Sequence, residues 1–335
     1  MKKPLVAIVD WKPEPRGDKK YIVEKEVLNK IANIKYFLCD KEEDWKGEVL
    51  KADVILLWHN ASAPAEVINK LEDCKGIVRI GTGYDTVDII AAASRDIPVF
   101  NVPDYGVDEV ADQSITLALT LCRQIIPNNE ECKKLGWDVQ YRNKIKRFNE
   151  MHFGVIGVGR IGTSVVKKAK ALGFKVSFYD PYVSVGYEKS LGATRFDSVD
   201  KLISNMDVIS INCPLTDETH HMITSKQIKK MRKNVFIVNT ARGPIIKKDD
   251  LFNALREDRI GGAALDVIED EPLRTKKETQ TPNLIVTPHC GFYSIESFWE
   301  MKHKAALVAK KVLMGKIPRN NCVNYKFLPR NFIKE

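Results

Sequence analysis

Three short polar segments of this chain each follow an apolar run. They are Asn239-Thr240-Ala241-Arg242-Gly243, Leu265-Asp266-Val267-Ile268-Glu269-Asp270-Glu271-Pro272 and Thr287-Pro288-His289. Proton transfer to or from a hydroxyl or carbonyl oxygen calls for a side chain that titrates near neutrality, which histidine does. His289 is the candidate. A carboxylate beside it would orient the ring and favour its charged form. Glu271 is placed to do so, but Asp266 and Glu269 lie in the same turn, and residue types alone do not choose among them. Arg242 can hold a carboxylate or carbonyl with its planar guanidinium. A lone loop histidine is more often structural than catalytic, so the reading rests on the three segments together.

A fourth segment, Gly157-Val158-Gly159-Arg160-Ile161-Gly162, has the spacing GxGxxG. Alone the pattern is weak. Here it follows the apolar run Phe153-Gly154-Val155-Ile156 and opens an amphipathic stripe of Ile161, Val165, Val166, Ala169 and Leu172, and Asp180 ends the next apolar run. In that context it is the fingerprint of a dinucleotide site. Gly157 permits the tight turn, Gly159 lets backbone approach a pyrophosphate, and Gly162 lets helix pack close to strand. The helix N-terminus then offers amides and partial positive charge to the phosphates. Asp180 should accept from the adenosine ribose hydroxyls and repel a 2′-phosphate, which selects NAD over NADP. Arg160 either neutralises pyrophosphate charge or is a surface arginine. With a nicotinamide at hand, the chemistry of His289 becomes the hydroxyl proton of a hydride transfer.

The elements that must position these groups show as rhythm. Apolar runs at 6–9, 34–38, 54–57, 77–80 and 98–100 alternate with amphipathic stretches around 21–32, 64–72 and 87–95. This is the pattern of βαβ units and a parallel sheet. Val102-Pro103-Asp104 interrupts it. Val107 to Ile126 reads as one long helix, and 127–150 as a polar, irregular segment anchored by Trp137 and Tyr141. A second series at 153–156, 176–179, 208–211, 235–238, 262–265 and 284–286 predicts a doubly wound sheet of about six strands. Ser294 to Gly315 reads as a final long helix that carries the chain back to the first domain. In such sheets ligands sit beyond the carboxyl ends of the strands, so all three polar segments are expected in one crevice.

The 335 residues suit two domains. The mix of 44% hydrophobic and 29% charged residues is that of a globular protein. No apolar run approaches the roughly 18–20 residues of a membrane span, and the N-terminus lacks the apolar core and cleavage site of a signal peptide. Seven cysteines, an odd number with no CxxC pair, argue against a disulfide framework or a metal site and for a reducing cytoplasm. The net charge of +9 comes from lysines scattered along helical patterns such as Lys167-Lys168, Lys229-Lys230 and Lys310-Lys311. That distribution fits solvated faces, and nucleic acid and membrane are not expected partners.

Six segments occur in one order: VRIGTGYDTVDI (78–89), NVPDYGVDEVAD (101–112), GVIGVGRIG (154–162), NTARGPII (239–246), GAALDVIEDEP (262–272) and TPH (287–289). Through them the chain resembles the D-2-hydroxyacid dehydrogenase family over nearly its whole length. The resemblance implies two Rossmann-like or flavodoxin-like α/β domains, doubly wound parallel sheets with a cleft between them. A discontinuous substrate domain would hold 1–103 and 302–335, and the NAD-binding domain 104–301. It implies a catalytic set of His289, Glu271 and Arg242. The cofactor set would be Gly157, Gly159, Arg160, Ile161, Gly162, Asp180, Cys213, Thr240 and Asp266. The substrate carboxylate, that of a small 2-hydroxy or 2-keto acid, would meet Arg79 and the backbone amides of Gly81, Thr82 and Gly83, with Arg242 and His289. A homodimer through 104–150 is implied as well. A formate-using relative would carry glutamine at position 271, so the glutamate favours a hydroxyacid. TPHCGFYSIES and GKIPRNNCVN look most like the C-terminal binding proteins, NAD-binding corepressors that keep the triad. An NAD(H)-gated partner-recruiting protein with little turnover is therefore the alternative reading. The chain departs from the family pattern at Phe292, where a tryptophan is expected, and at Thr86, where an asparagine is. The loop Trp58-His59-Asn60-Ala61 matches no readable specificity signature.

Overall fold

The computed structural model describes residues 3–11, 22–59, 61–137 and 145–329. Tyr141 and Asn60, singled out above, lie outside them. The chain divides into two units, Met1–Gly106 with Ser294–Glu335, and Val107–Tyr293.

The first unit is built on β1 (Leu5–Asp10), α1 (Ile22–Leu28), β2 (Asn33–Leu38), β3 (Val54–Leu57), α2 (Ala65–Lys70), β4 (Ile77–Arg79), α3 (Ile89–Ser94) and β5 (Val99–Phe100). The five strands are parallel in the order β2-β1-β3-β4-β5. Val6 to Val9 and all of β3 are buried, as expected of strands covered on both faces, which read as continuous apolar runs. Asp88 caps α3 by accepting from the amides of Ile90 and Ala91.

The second unit begins with α4 (Val107–Cys122) and α5 (Ile125–Lys133). The expected single helix over 107–126 is thus two. Gln124 adopts the left-handed conformation, φ 54°, and Pro127 falls in the first turn of α5, where a missing N–H costs nothing. Residues 127–133, expected to be irregular, are helical. Trp137 does not anchor the segment; it is 89% exposed.

There follow β6 (His152–Ile156), α6 (Arg160–Ala171), β7 (Lys175–Tyr179), α7 (Tyr187–Leu191), β8 (Thr194–Arg195), α8 (Val199–Ile203), β9 (Val208–Ile211), α9 (Ser225–Lys230), β10 (Phe236–Asn239), α10 (Lys248–Arg256), β11 (Gly262–Leu265), α11 (Lys276–Thr279) and β12 (Leu284–Val286). The sheet has seven parallel strands, one more than expected, in the order β12-β11-β10-β9-β6-β7-β8. The addition is β8, two residues long and too short to show as an apolar run. Alternate residues go to opposite faces. Phe153, Val155, Val208, Val238 and Ala264 pack with Ala111, Ile115 and Ala118 of α4 and Val165, Val166 and Ala169 of α6. Ile156, Ile209, Ile237, Ala263 and Leu265 pack with α8, α9 and α10. Helices on both faces make the sheet doubly wound.

The last helix, α12 (Ile295–Leu313), is capped by Ser294 and Ser297 and belongs to the first unit. The domain division expected at 301/302 falls inside this continuous helix.

Candidate active site

The switch in strand order lies between β6 and β9, where a doubly wound sheet opens a crevice. The glycine loop sits there. Gly157 has φ +86°, and a Cβ on it would lie 2.8 Å from the Cys213 amide nitrogen just past β9. A Cβ on Gly162 would come within 1.9 Å of the Gly157 carbonyl oxygen, so α6 packs directly on the turn. A Cβ on Gly159 would meet no heavy atom within 4 Å. The protein itself does not need a glycine there; an approaching ligand would. Gly159 caps α6 with no side-chain hydrogen bond, which leaves the first-turn amides to an anion. These observations fit a dinucleotide pyrophosphate. Ile161 is half-buried and packs against the α4–α6 core, while Arg160 is exposed at the helix start.

Asp180 follows β7. One oxygen accepts from the Val158 amide at 2.9 Å and the other from the Tyr182 amide at 2.9 Å. The carboxylate is thereby tied to the glycine loop, with lone pairs left for further donors. Tyr182 in turn donates to Glu218 across from it. Burial pushes the Cys213 thiol up to about 12, and the charge of Asp180 adds to this, so Cys213 is a neutral wall and not a nucleophile.

Arg242, Glu271 and His289 stand beyond β10, β11 and β12, at the carboxyl edge of adjacent strands. Buried Asn239 shapes the first of these turns, accepting from Ala241 at 3.0 Å and donating to the Arg242 carbonyl at 2.9 Å. Thr240 is held by its hydroxyl, 2.6 Å from Ser114 of α4. A Cβ on Gly243 would come within 2.0 Å of the Ile268 carbonyl carbon; the arginine turn therefore lies against the acidic turn. Arg242 donates to the Ala241 carbonyl at 2.7 Å.

The choice of carboxylate that residue types left open is made by geometry. Glu271 Oε2 is 3.2 Å from His289 Nδ1. Glu269 Oε1 is 2.5 Å from His221 Nε2, and its other oxygen accepts from the Lys248 amide. Buried Asp266 accepts from the Thr287 hydroxyl and from the amides of Cys290 and Gly291 at 3.0 and 2.8 Å. It shapes the turn that carries His289 and does not compete for the ring. His289 itself has φ +53°, a left-handed conformation that no local pattern announces. Burial alone would raise the Glu271 carboxyl. The contact with His289, the Ile268 amide and the charge of Arg242 outweigh it and hold the group below its ordinary value. Glu271 is thus a standing anion.

The remaining expected residues belong to the first unit. Arg79 ends β4, buried, and donates to the Ile80 carbonyl at 2.8 Å. Gly81 has φ +138°, and a Cβ there would lie 1.6 Å from Arg79 Nη1, so only glycine lets the guanidinium lie over this loop. Thr82 is exposed, with its carbonyl held by Asn101 at 2.7 Å and its hydroxyl donating to Val102 at 3.2 Å. Gly83 follows half-exposed. Trp58 packs on Phe298 with ring centres 5.7 Å apart, and Phe292 stands edge-on to Tyr293.

Sequence comparison finds a relative in the D-3-phosphoglycerate dehydrogenase of Methanocaldococcus jannaschii. It is 35% identical over 307 residues, 91% of this chain and 58% of the relative. C-terminal-binding protein 1 of Caenorhabditis elegans is 31% identical over 341 residues, 98% of this chain and 46% of that protein. The chain spans about half the length of these curated relatives. Among solved structures, D-lactate dehydrogenase from Aquifex aeolicus, complexed with NAD and lactic acid, superposes with a TM-score of 0.85 at 28% identity. The match covers 95% of this chain and 99% of that one. Residues 115–291 match the family described as D-isomer specific 2-hydroxyacid dehydrogenase, NAD binding domain; it is to this family that the chain belongs.

Proposed function

We propose that the chain is an NAD-dependent oxidoreductase that moves a hydride between the nicotinamide and the alpha carbon of a small D-2-hydroxy acid or its 2-keto acid. The observation that carries this is the 3.2 Å pair of His289 and Glu271, in the same unit as the glycine loop. When bound, the reduced nicotinamide would supply the hydride for keto-acid reduction. His289 gives its proton to the carbonyl oxygen, and Glu271 stabilises the imidazolium and fixes its tilt. Arg242 holds carboxylate and carbonyl with two parallel donors. Asp180 accepts from the ribose hydroxyls and disfavours a 2′-phosphate. The glycine loop with Arg160 and Ile161 carries the pyrophosphate, and Cys213, Thr240 and Asp266 line the nicotinamide side. The first unit acts as the substrate domain, with Arg79 and the amides of Gly81, Thr82 and Gly83 taking the carboxylate.

We further infer a homodimer through the 104–150 segment, supported by the exposure of Ile125, Leu135 and Trp137. A cytoplasmic setting is supported by seven unpaired thiols. Among the described residues no helix is long and apolar enough to cross a membrane.

The test is oxidation of NADH against a panel of 2-keto acids. Turnover with at least one of them is expected. Tight NADH binding, seen by nicotinamide fluorescence, without turnover on any acid would overturn the enzyme reading. It would favour a partner-recruiting protein, in keeping with the likeness to C-terminal-binding protein 1.

A further inference from the structure

Beyond the proton relay, a second histidine–carboxylate group stands at the carboxyl edge of the same sheet. His220 and His221 lie in the loop between β9 and α9, and Glu269 lies in the turn after β11. One donor atom from each falls within 4.8 Å of the other two. His221 Nε2 and Glu269 Oε1 are 2.5 Å apart, and the rings of His220 and His221 have centres 4.0 Å apart, tilted 30°. None of the three has a part in the hydride chemistry. We propose that His220, His221 and Glu269 bind a divalent transition-metal ion of borderline softness, for which zinc is the fitting case.

The donor set is the first argument. Two imidazoles and one carboxylate are ligands that zinc takes at about 2.0–2.2 Å, and three protein ligands with an open position are a common zinc arrangement. Calcium and magnesium prefer all-oxygen shells. The second argument is that the ligands are held from outside. The Lys248 amide, at the start of α10, donates to Glu269 Oε2 at 3.1 Å, which leaves Oε1 directed at the histidines. An outer hydrogen bond of this kind orients metal-binding carboxylates. The loop carrying the histidines is stitched to the segment after β10. His221 donates its amide to Pro244 at 2.8 Å, Ile223 to Ile245 at 3.1 Å and Lys247 to Ile223 at 3.0 Å. The ion would take the place now filled by the hydrogen bond between His221 and Glu269. Tetrahedral bonds of the length above set neighbouring donors about 3.3 Å apart, so the pair opens by under 1 Å. His220, on the exposed side, swings onto the ion and leaves the fourth position to water.

The experiment titrates zinc calorimetrically, and cobalt by visible absorption, into the full chain stripped with a chelator. One ion per chain is expected, on nitrogen and oxygen ligands. His220→Ala, which leaves the hydrogen bond of His221 with Glu269 untouched, and Glu269→Gln should each weaken binding at least about tenfold. Binding that fails to saturate by millimolar metal would overturn the proposal. So would affinity unchanged in His220→Ala, or a near-ultraviolet thiolate band in the cobalt spectrum, which would move the site to an exposed cysteine such as Cys290 or Cys132.

Discussion

Four acidic side chains crowd the turn after β11, and each meets a different partner. Asp266 holds the amides of Cys290 and Gly291, Glu269 takes His221, Asp270 lies 3.7 Å from Lys248, and Glu271 takes His289. The identities of these residues were legible in the sequence; residue types did not give their pairing, and only the family resemblance named Glu271 for His289. The pairing depends on left-handed backbone at His221 and His289 and on the contact of Gly243 with Ile268, which arise from how three turns meet. Under the proposed mechanism, His289→Ala should lower kcat/KM for the reactive keto acid by about 10²–10⁴-fold, the usual scale for a general acid. NADH affinity should stay intact, because pyrophosphate and ribose are held elsewhere. Steady-state rates and nicotinamide fluorescence separate the two, and a fully active variant would remove His289 from the mechanism. Asp180→Ala should weaken NADH and improve NADPH relative to it. Here a second effect is expected, because Asp180 also accepts from the Val158 amide and so steadies the glycine loop. The ratio of kcat/KM for the two cofactors is the measurement, and a wild type that already prefers NADPH would refute the reading.

At the scale of the element, alternation of short apolar runs with helical stripes was enough to place eleven strands, because buried parallel strands are apolar from end to end. It missed β8, whose two residues make no run. It also joined α4 to α5, although Pro127 marks a new helix start. The close packing of α6 on β6 gives a test. Gly162→Ala puts a methyl 1.9 Å from the Gly157 carbonyl. Relief requires the helix or the turn to shift, at a cost of about 1–3 kcal/mol. A lower Tm and weaker NADH binding should appear together; an unchanged Tm would mean that the turn yields freely. Asp207, 9% exposed at the side chain, ties β6 to its neighbours through the His152 amide at 2.9 Å, Lys146 at 2.8 Å and Arg232 at 3.3 Å. Burial would raise its carboxyl, but these donors hold it below the ordinary value. A depressed folded-state value means that the stabilisation is complete above the unfolded value, near pH 4, and is lost as the pH falls through the folded one. Asp207→Asn should cost about 1–3 kcal/mol at neutral pH and flatten the loss of stability below about pH 4. Urea midpoints from pH 2.5 to 7 measure both; parallel curves for the two proteins would show that Asp207 carries no such linkage.

At the scale of the whole molecule, the return of the chain to its first unit was legible from the long helical stripe after Ser294. The point of return was not, because a helix goes with the core its apolar face covers. That face, Met301, Ala305, Ala306, Val308 and Val312, is buried in the first unit. The seam beyond the helix is polar. Asn324, fully buried, accepts from the Val99 amide at 2.9 Å and donates to the carbonyls of Ile97 at 3.0 Å and Ile89 at 3.3 Å. Val323 donates to Val99 at 2.8 Å. Asn324→Ala strands two buried backbone groups, the Val99 amide and the Ile97 carbonyl, and should cost about 2–4 kcal/mol. The loss should fall on a calorimetric transition assigned to the first unit, while NADH still protects the second. A uniform shift of every transition would mean that the two units melt as one.

The discontinuity of the first unit also sets an order in time. Residues 3–106 leave the ribosome well before α12 and Asn324, with the whole of Val107–Tyr293 made in between. At about 5–20 residues per second, the open edge at β5 waits roughly 10–40 s for the segment that covers it. The nucleotide-binding unit, being contiguous, can close during that wait. The newborn chain therefore passes through a state in which its second half is finished and its first half is not, and in that state the unsealed edge at β5 is the place where chaperones, or other copies of the chain, would meet it.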